Sequence, residues 1–206
     1  GSGTTLVEAQ LLGRRGIGID INPNSVMVAR DRLDFDFNIP LEMPPLRSIE
    51  TYVGDARNIN VIKNDTVDLV ATHPPYAGII GYSKNDIDGE LSALKLDDYL
   101  DGMREAATEA MRVLKPGSHC GVLIGDTRKH LHYIPISQRV MHVFLEVGFM
   151  LREDIIKLQW KMKATRERWG GASQSFYKIA HEHLFVFRKP DVDERTTRLK
   201  NSKKWW

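Results

Sequence analysis

The chain has 206 residues, a length that suits one domain, and 42% of them are hydrophobic, which is enough to bury a core. It contains no apolar run of about 18 residues and no basic segment followed by an apolar stretch, so we expect neither a membrane span nor a secretion signal. The single cysteine, Cys120, excludes an internal disulfide and favours a reducing, cytoplasmic setting, and the net charge of +2 is too small to indicate a nucleic-acid partner by itself.

Helix-like and strand-like patterns alternate along the chain. In chain order we predict a helix over 6–12, a strand over 16–21, a helix over 24–33, a loop over 34–48, strands over 49–53 and 67–72, a helix over 96–114, a strand over 120–125, a helix over 134–146, and strands over 149–158 and 184–188. Pro23 fits the first turn of the second helix, where a missing N–H costs nothing. Lys115, Pro116 and Gly117 are typical of a helix end. The alternation indicates an α/β fold with a mostly parallel sheet and helices on both faces.

Polar residues follow several of the predicted strands, at the edge of the sheet where such folds bind ligands. Asp20, Asp55 and the segment 73–76 each come after an apolar strand. Asp126 does so as well, and we expect it either to line a pocket or to cap its own turn with Thr127. The motifs described next therefore fall where the fold predicts a site.

The first motif is a glycine-containing turn that opens the first helix. Glycines let the backbone approach a ligand closely, and a helix N-terminus offers free N–H groups. Asp20, at the end of the next strand, is placed to accept hydrogen bonds from two ribose hydroxyls, which suits NAD or S-adenosylmethionine. A dinucleotide fingerprint needs a third glycine where this chain has Leu6, which disfavours NAD. The residues expected at the cofactor are Gly1, Ser2, Gly3, Thr4, Thr5, Asp20, Ile21, Asp55 and Ala56.

The second motif, His73-Pro74-Pro75-Tyr76, directly follows a predicted strand that we expect to be buried. Two prolines fix the backbone and hold the preceding carbonyl groups in one orientation. An exocyclic amine on a base is a poor nucleophile, and acceptors for its hydrogens would localise its lone pair for attack on a methyl sulfonium. The Pro74 carbonyl and His73 are those acceptors in our interpretation, and Tyr76 would stack on a flipped base.

Basic residues lie among aromatic ones in 157–178 and in the tail after 190, and a polar stretch covers 78–94. Such segments can contact phosphates and bases, although a solvated loop or a frayed terminus would have the same composition. The candidate nucleic-acid contacts are Tyr82, Lys84, Lys161, Lys163, Arg166 and Arg168. Only two of the histidines 119, 130, 132 and 142 are close in sequence, so we expect no metal site.

These motifs, with Val-Leu-Lys-Pro-Gly at 113–117 and His-Glu-His-Leu-Phe-Val-Phe at 181–187, resemble the amino-group DNA methyltransferases that modify cytosine N4 or adenine N6. The resemblance covers roughly 1–189. It implies a Rossmann-like fold with an antiparallel final strand, S-adenosylmethionine as cofactor, and a flipped base in double-stranded DNA as substrate. It also implies that residues 1–189 are a catalytic domain and 190–206 a basic tail.

The sequence departs from that family in three ways. Position 73 is usually Asp, Asn or Ser, and a His there accepts a hydrogen bond only when neutral, so we expect activity to fall in acid. The family's first strand and the segment before it are missing, which implies that an N-terminal segment or a partner subunit completes the cofactor pocket. No large target-recognition region is evident. An RNA methyltransferase and a non-catalytic, cofactor-binding subunit therefore remain alternatives.

Overall fold

The structure is a computed structural model of the chain and describes residues 1–34, 48–77, 87–159 and 176–203. The chain divides into two compact units. The first consists of Gly1–Val61 and Tyr82–Glu90, and the second of Ile62–Gly81 and Leu91–Trp206. Most of the predicted loop 34–48 lies outside the described residues.

The first unit contains two helices and a pair of parallel strands. Its elements are α1 (Thr4–Leu11), β1 (Gly16–Asp20), α2 (Pro23–Leu33) and β2 (Ile49–Val53). Gly16 lies opposite Ile49 and Asp20 opposite Val53, so both strands end at the same edge. Asn22 caps α2 by accepting a 2.9 Å hydrogen bond from the Asn24 N–H, which satisfies one of the free amides of the first turn. All four elements were predicted to within two residues at each end.

The second unit contains a four-stranded sheet in the order β3-β4-β8-β7. Its elements are β3 (Val67–Thr72), α3 (Leu96–Val113), β4 (Leu114–Ile124), β5 (Thr127–Lys129), β6 (His132–Ile134), α4 (Ile136–Val147), β7 (Met150–Leu158) and β8 (His181–Arg188). β3 and β4 are parallel, whereas β8 runs antiparallel to both β4 and β7. Three strands therefore share one direction, and the last strand in the sequence opposes them, as expected.

Aromatic side chains form the centre of this unit's core. The Phe144 ring on α4 stacks on Phe187 of β8 with 4.8 Å between the ring centroids, and Phe149 and Phe185 pack beside them. Tyr99 of α3 is fully buried against the same cluster. Burying a side chain of this size contributes about 1.5–3 kcal/mol, so the cluster fixes α3 and α4 on the sheet.

The start of β4 differs from the prediction. We expected Lys115, Pro116 and Gly117 to end the helix and the strand to begin at Cys120, but α3 ends at Val113 and β4 begins at Leu114. A proline and a left-handed glycine fit a strand here because its pairing with β3 is irregular, with a register shift between Val67 and Leu69.

A hairpin of β5 and β6 was not predicted. His130 and Leu131 form its turn with φ angles of 49° and 67°, which are uncommon in residues other than glycine, asparagine and aspartate. The turn therefore lacks the residues by which hairpins are recognised in a sequence. α4 consequently begins at Ile136, after the hairpin, instead of at Ile134.

The described part of the tail contains a 3₁₀ turn (Thr196–Leu199) followed by α5 (Lys200–Lys203). No described helix combines the length and the apolar character that a membrane-spanning segment needs.

Candidate functional site

The glycine turn at the start of α1 packs tightly against α2. Gly3 has a φ of 75°, and a Cβ built on it would lie 2.7 Å from the Cβ of Ala29, so only glycine fits this position. Arg32 of α2 donates hydrogen bonds to the Ser2 carbonyl oxygen (2.7 Å) and to Thr4 Oγ1 (2.9 Å). The role of Arg32 was not predicted, because nothing in the sequence links it to the turn.

Asp20 is the last residue of β1, as predicted, and Ile21 follows it. Its Oδ1 accepts a 2.8 Å hydrogen bond from the Asn22 N–H, and its Oδ2 contacts the backbone nitrogen of Gly1. The Asp20 carboxylate therefore lies beside the glycine turn and is only partly buried. The role of Asp20 at the cofactor stays a prediction.

Asp55 follows β2, with Ala56 next to it, but Asp55 has an unpredicted partner. Arg57 donates to both carboxylate oxygens of Asp55 and to the carbonyl oxygen of Gly89 (3.0 Å). Partial burial would raise the pKa of Asp55, but the hydrogen bonds and charge of Arg57 outweigh it and lower the pKa. Asp55 is thus held as a carboxylate, with much of its acceptor capacity used by Arg57.

In the second unit, the segment from His73 to Tyr76 leaves the carboxyl end of β3, as predicted. Pro74 is buried, while the His73 side chain is 49% exposed. Tyr76 packs against the core of the unit. Pro74 and Tyr76 therefore anchor the segment, whereas the His73 side chain is accessible to solvent.

A buried carboxylate lies behind this segment. Glu182 on β8 is 5% exposed, and its Oε1 accepts a 2.6 Å hydrogen bond from the Tyr76 hydroxyl. Its Oε2 accepts a 2.9 Å hydrogen bond from Nζ of Lys157, the residue opposite it on β7. His73 Nε2 lies 3.4 Å from the Tyr76 oxygen and 3.7 Å from Glu182 Oε1. Neither Glu182 nor Lys157 was predicted to take part in a site.

Burial and neighbouring charges set the protonation of this cluster. Burial lowers the pKa of His73; Glu182 opposes this, and Lys157 adds to it, so the net shift is downward. Burial would raise the pKa of Glu182, but hydrogen bonds from Lys157, Tyr76 and Gln159 outweigh it and lower the pKa. At neutral pH the cluster therefore pairs a neutral His73 with an ionised Glu182.

Cys120 does not provide a nucleophile. It is fully buried in β4, and burial raises the pKa of its thiol to about 12, so almost no thiolate exists at neutral pH.

Asp126 has neither of its two expected roles. Its Oδ1 accepts from the Ser137 N–H (2.7 Å), and its Oδ2 accepts from the hydroxyls of Ser137 (2.9 Å) and Tyr133. The side chain is 1% exposed, so it does not line an open pocket, and it caps α4 instead of binding Thr127. The reason is that the hairpin brings the start of α4 back to the end of β4.

The described residues contain no group of three side chains suited to a metal ion. His183 pairs with Asp154, with 3.0 Å between His183 Nδ1 and Asp154 Oδ1. The predicted nucleic-acid contacts all lie outside the described residues; they are Tyr82, Lys84, Lys161, Lys163, Arg166 and Arg168.

The fold is shared with solved methyltransferase structures. A S-adenosylmethionine-dependent methyltransferase from Methanosarcina mazei matches with a TM-score of 0.61 over 93% of this chain and 89% of that chain, at 12% sequence identity. The fold is that of the S-adenosylmethionine-dependent methyltransferases. Within that class, the model of the N6 and N4 methyltransferase family, described as DNA methylase, matches residues 67–205, and the chain belongs to this family.

Two curated relatives are identical to this chain at about a third of the aligned positions. The type II methyltransferase M.BglII of Bacillus subtilis is 31% identical over 131 residues, which cover 61% of this chain and 33% of that protein. The release factor glutamine methyltransferase of Caulobacter vibrioides is 33% identical over 133 residues, which cover 61% of this chain and 43% of that protein. The chain thus spans less than half the length of either relative.

Proposed function

We propose that the protein transfers a methyl group from S-adenosylmethionine to the exocyclic amino group of a base in double-stranded DNA, either N4 of cytosine or N6 of adenine. The observation that carries the proposal is the His73-Pro74-Pro75-Tyr76 segment at the carboxyl end of β3, with Tyr76 anchored and a neutral His73 exposed beside it. Membership of the N6 and N4 family supports it.

The residues of the first unit suit the cofactor by the chemistry of their donors and acceptors. The N-cap residue of α1 is Gly3, which has no side chain to bind the amides of the first turn. That turn therefore offers backbone N–H groups, and Asp20 offers a partly exposed carboxylate. We assign the ribose hydroxyls to Asp20, the turn of residues 1–5 to the methionine end, and the adenine to the region of Asp55. When bound, the cofactor supplies an electrophilic methyl group on a sulfonium.

The segment in the second unit suits an amino group on a flat ring. The Pro74 carbonyl and His73 would each accept a hydrogen from the amino group, which localises the nitrogen lone pair. Tyr76 would hold the base once it has left the duplex. On accepting the methyl group the amino nitrogen would release a proton, and the neutral imidazole of His73 would take that proton.

A second candidate substrate is the side-chain amide of a protein glutamine. The likeness to a release factor glutamine methyltransferase favours it, and an amide nitrogen poses the same chemical problem as a base amino group. The family match and M.BglII favour DNA.

The experiment that tests the proposal compares three acceptors with labelled S-adenosylmethionine: unmethylated duplex DNA, transfer RNA and a glutamine-containing release factor. We expect label in duplex DNA at a rate at least about tenfold above the other two. Label in RNA or in the release factor alone would overturn the proposal, and label in none would favour a non-catalytic subunit.

A further inference from the structure

We infer that Glu182 is a positioning residue, which acts through Tyr76 to fix the orientation and the neutral tautomer of His73. The claim that Glu182 affects catalysis rests on the proposed function. The claim that Glu182 sets the orientation and tautomer of His73 rests only on contacts within the second unit. Glu182 lies 106 residues from Tyr76 in the sequence, which is why no local motif reveals it.

The first step concerns Tyr76. Its hydroxyl has one proton, which it donates to Glu182 Oε1 at 2.6 Å. Charge-assisted hydrogen bonds of this kind are short and strong, and this carboxylate is almost fully buried. A Cβ added to Gly125 would lie 3.0 Å from the Tyr76 oxygen and 3.3 Å from Glu182 Cγ, so the pair is also closely packed against the end of β4. Tyr76 therefore has little freedom to turn its hydroxyl elsewhere.

The second step concerns His73. Because the Tyr76 proton is committed to Glu182, the Tyr76 oxygen can only accept a hydrogen bond from His73 Nε2, 3.4 Å away. Glu182 Oε1, 3.7 Å from the same nitrogen, also favours a proton there. A neutral imidazole that carries its proton on Nε2 presents Nδ1 as its only acceptor. Glu182 thus determines which His73 nitrogen is able to accept from a substrate amino group.

The third step concerns charge. Glu182 and Lys157 are the charged groups that act on His73, and they act in opposite directions: Glu182 raises the pKa of His73 and Lys157 lowers it. Lys157 also pairs with Glu182 Oε2, so both oxygens of the carboxylate are engaged. Removal of either charge should therefore shift the protonation of His73 in a direction that can be stated in advance.

The test uses Glu182→Gln and Lys157→Met, with Glu153→Gln, at another exposed position of β7, as a matched control. A glutamine side chain has only one acceptor oxygen for the two donors, Tyr76 and Lys157. Glu182→Gln should therefore lower kcat about tenfold or more, with a smaller change in KM. The acid limb of its pH profile should move to lower pH, whereas that of Lys157→Met should move to higher pH. Glu153→Gln should match the wild type.

A readout that needs no substrate separates this inference from the proposed function. Nitrogen-15 chemical shifts should show the Nε2–H tautomer for neutral His73 in the wild type and a tautomer mixture in Glu182→Gln. A wild type without transfer activity but with these shifts would refute the function and keep the positioning role. Unmoved pH limbs or an Nδ1–H tautomer in the wild type would overturn the inference, even if DNA is methylated.

Discussion

The hydroxyl of Tyr76 donates a 2.6 Å hydrogen bond to the buried carboxylate of Glu182. The hydrogen bond connects the segment that follows β3 to the last strand of the same sheet. The ring and the hydroxyl of Tyr76 therefore have different functions. The ring of Tyr76 is proposed to hold the base, while its hydroxyl holds the ring in place.

Substitutions at Tyr76 should distinguish these two functions. Tyr76→Ala removes the ring, and because base stacking is worth about 1–3 kcal/mol, kcat/KM should fall roughly 5- to 150-fold or more. Tyr76→Phe keeps the ring but removes the hydroxyl through which Glu182 acts on His73. The free energy of unfolding should therefore fall by about 1–3 kcal/mol, with a loss of kcat similar to that of Glu182→Gln and smaller than that of Tyr76→Ala. Steady-state kinetics and urea unfolding measure the two effects. Equal activity of the two variants would contradict this division.

The rate of methyl transfer should depend on pH through His73. Burial and Lys157 lower the pKa of His73 below its ordinary value near 6.5, so His73 should stay neutral through neutral pH. Transfer should therefore fall only in acid, with a midpoint below about 6.5, because a protonated His73 cannot accept a hydrogen bond. A pH profile of kcat/KM measures this. His73→Asn should lose the acid limb, and the same limb in that variant would assign the titration to another group.

Asp20→Asn should weaken the binding of S-adenosylmethionine. Hydrogen bonds to a charged acceptor are worth about 1.5–3 kcal/mol, so the loss of the charge should raise Kd about 10- to 150-fold. Isothermal titration calorimetry measures the change. Asp31→Asn, the same change at an exposed position of α2, is the matched control. An unchanged Kd for Asp20→Asn would remove Asp20 from the cofactor site.

Gly3→Ala should destabilise the first unit. The added methyl group would meet the Cβ of Ala29 at 2.7 Å, and a φ of 75° is strained for alanine. Steric crowding and backbone strain together should lower the free energy of unfolding by about 1–3 kcal/mol. Thermal unfolding followed by circular dichroism measures the loss. Gly1→Ala, whose methyl group meets nothing within 4 Å, should leave stability nearly unchanged. Similar losses in both variants would argue against the close packing of α1 on α2.

Lys189→Met should destabilise the second unit. Lys189 Nζ donates to the carbonyl oxygens of Met111 (2.8 Å) and Leu114 (2.7 Å) at the end of α3, and to Asp65 (2.6 Å). Loss of a cation at a helix C-terminus, with carbonyls left unpaired, should cost roughly 2–4 kcal/mol of unfolding free energy. Urea unfolding measures the cost, and Lys129→Met at the exposed hairpin is the control. A variant as stable as the control would show that these contacts contribute little.

The sequence was sufficient to predict the elements that carry the motifs. β3 is a mostly apolar run that is followed, after His73, by two prolines, and Asp20 ends a short apolar strand, so local pattern and position agree. The α/β class and the antiparallel last strand were predicted too, and the comparison with solved structures confirms the fold.

What the sequence did not predict depends on contacts between residues that are far apart. Glu182 lies just before the strand that was predicted over 184–188, and only the pairing of β7 with β8 brings Lys157 beside it. Arg57 binds Asp55 and also the carbonyl oxygen of Gly89, which lies 32 residues further along the chain. Asp126 binds Ser137 because of a hairpin whose turn lacks glycine. In each case a tertiary contact decides the role of a side chain that has several local alternatives.

The measurement that tests the central claim most directly is identification of the methylated nucleoside. Unmethylated duplex DNA is incubated with the protein and labelled S-adenosylmethionine, digested to nucleosides and analysed by mass spectrometry, with Tyr76→Ala in parallel. We predict labelled N4-methylcytosine or N6-methyladenine from the wild type and a strongly reduced amount from the variant. Label on carbon 5 of cytosine, or equal label from both proteins, would contradict amino-group transfer by the segment from His73 to Tyr76.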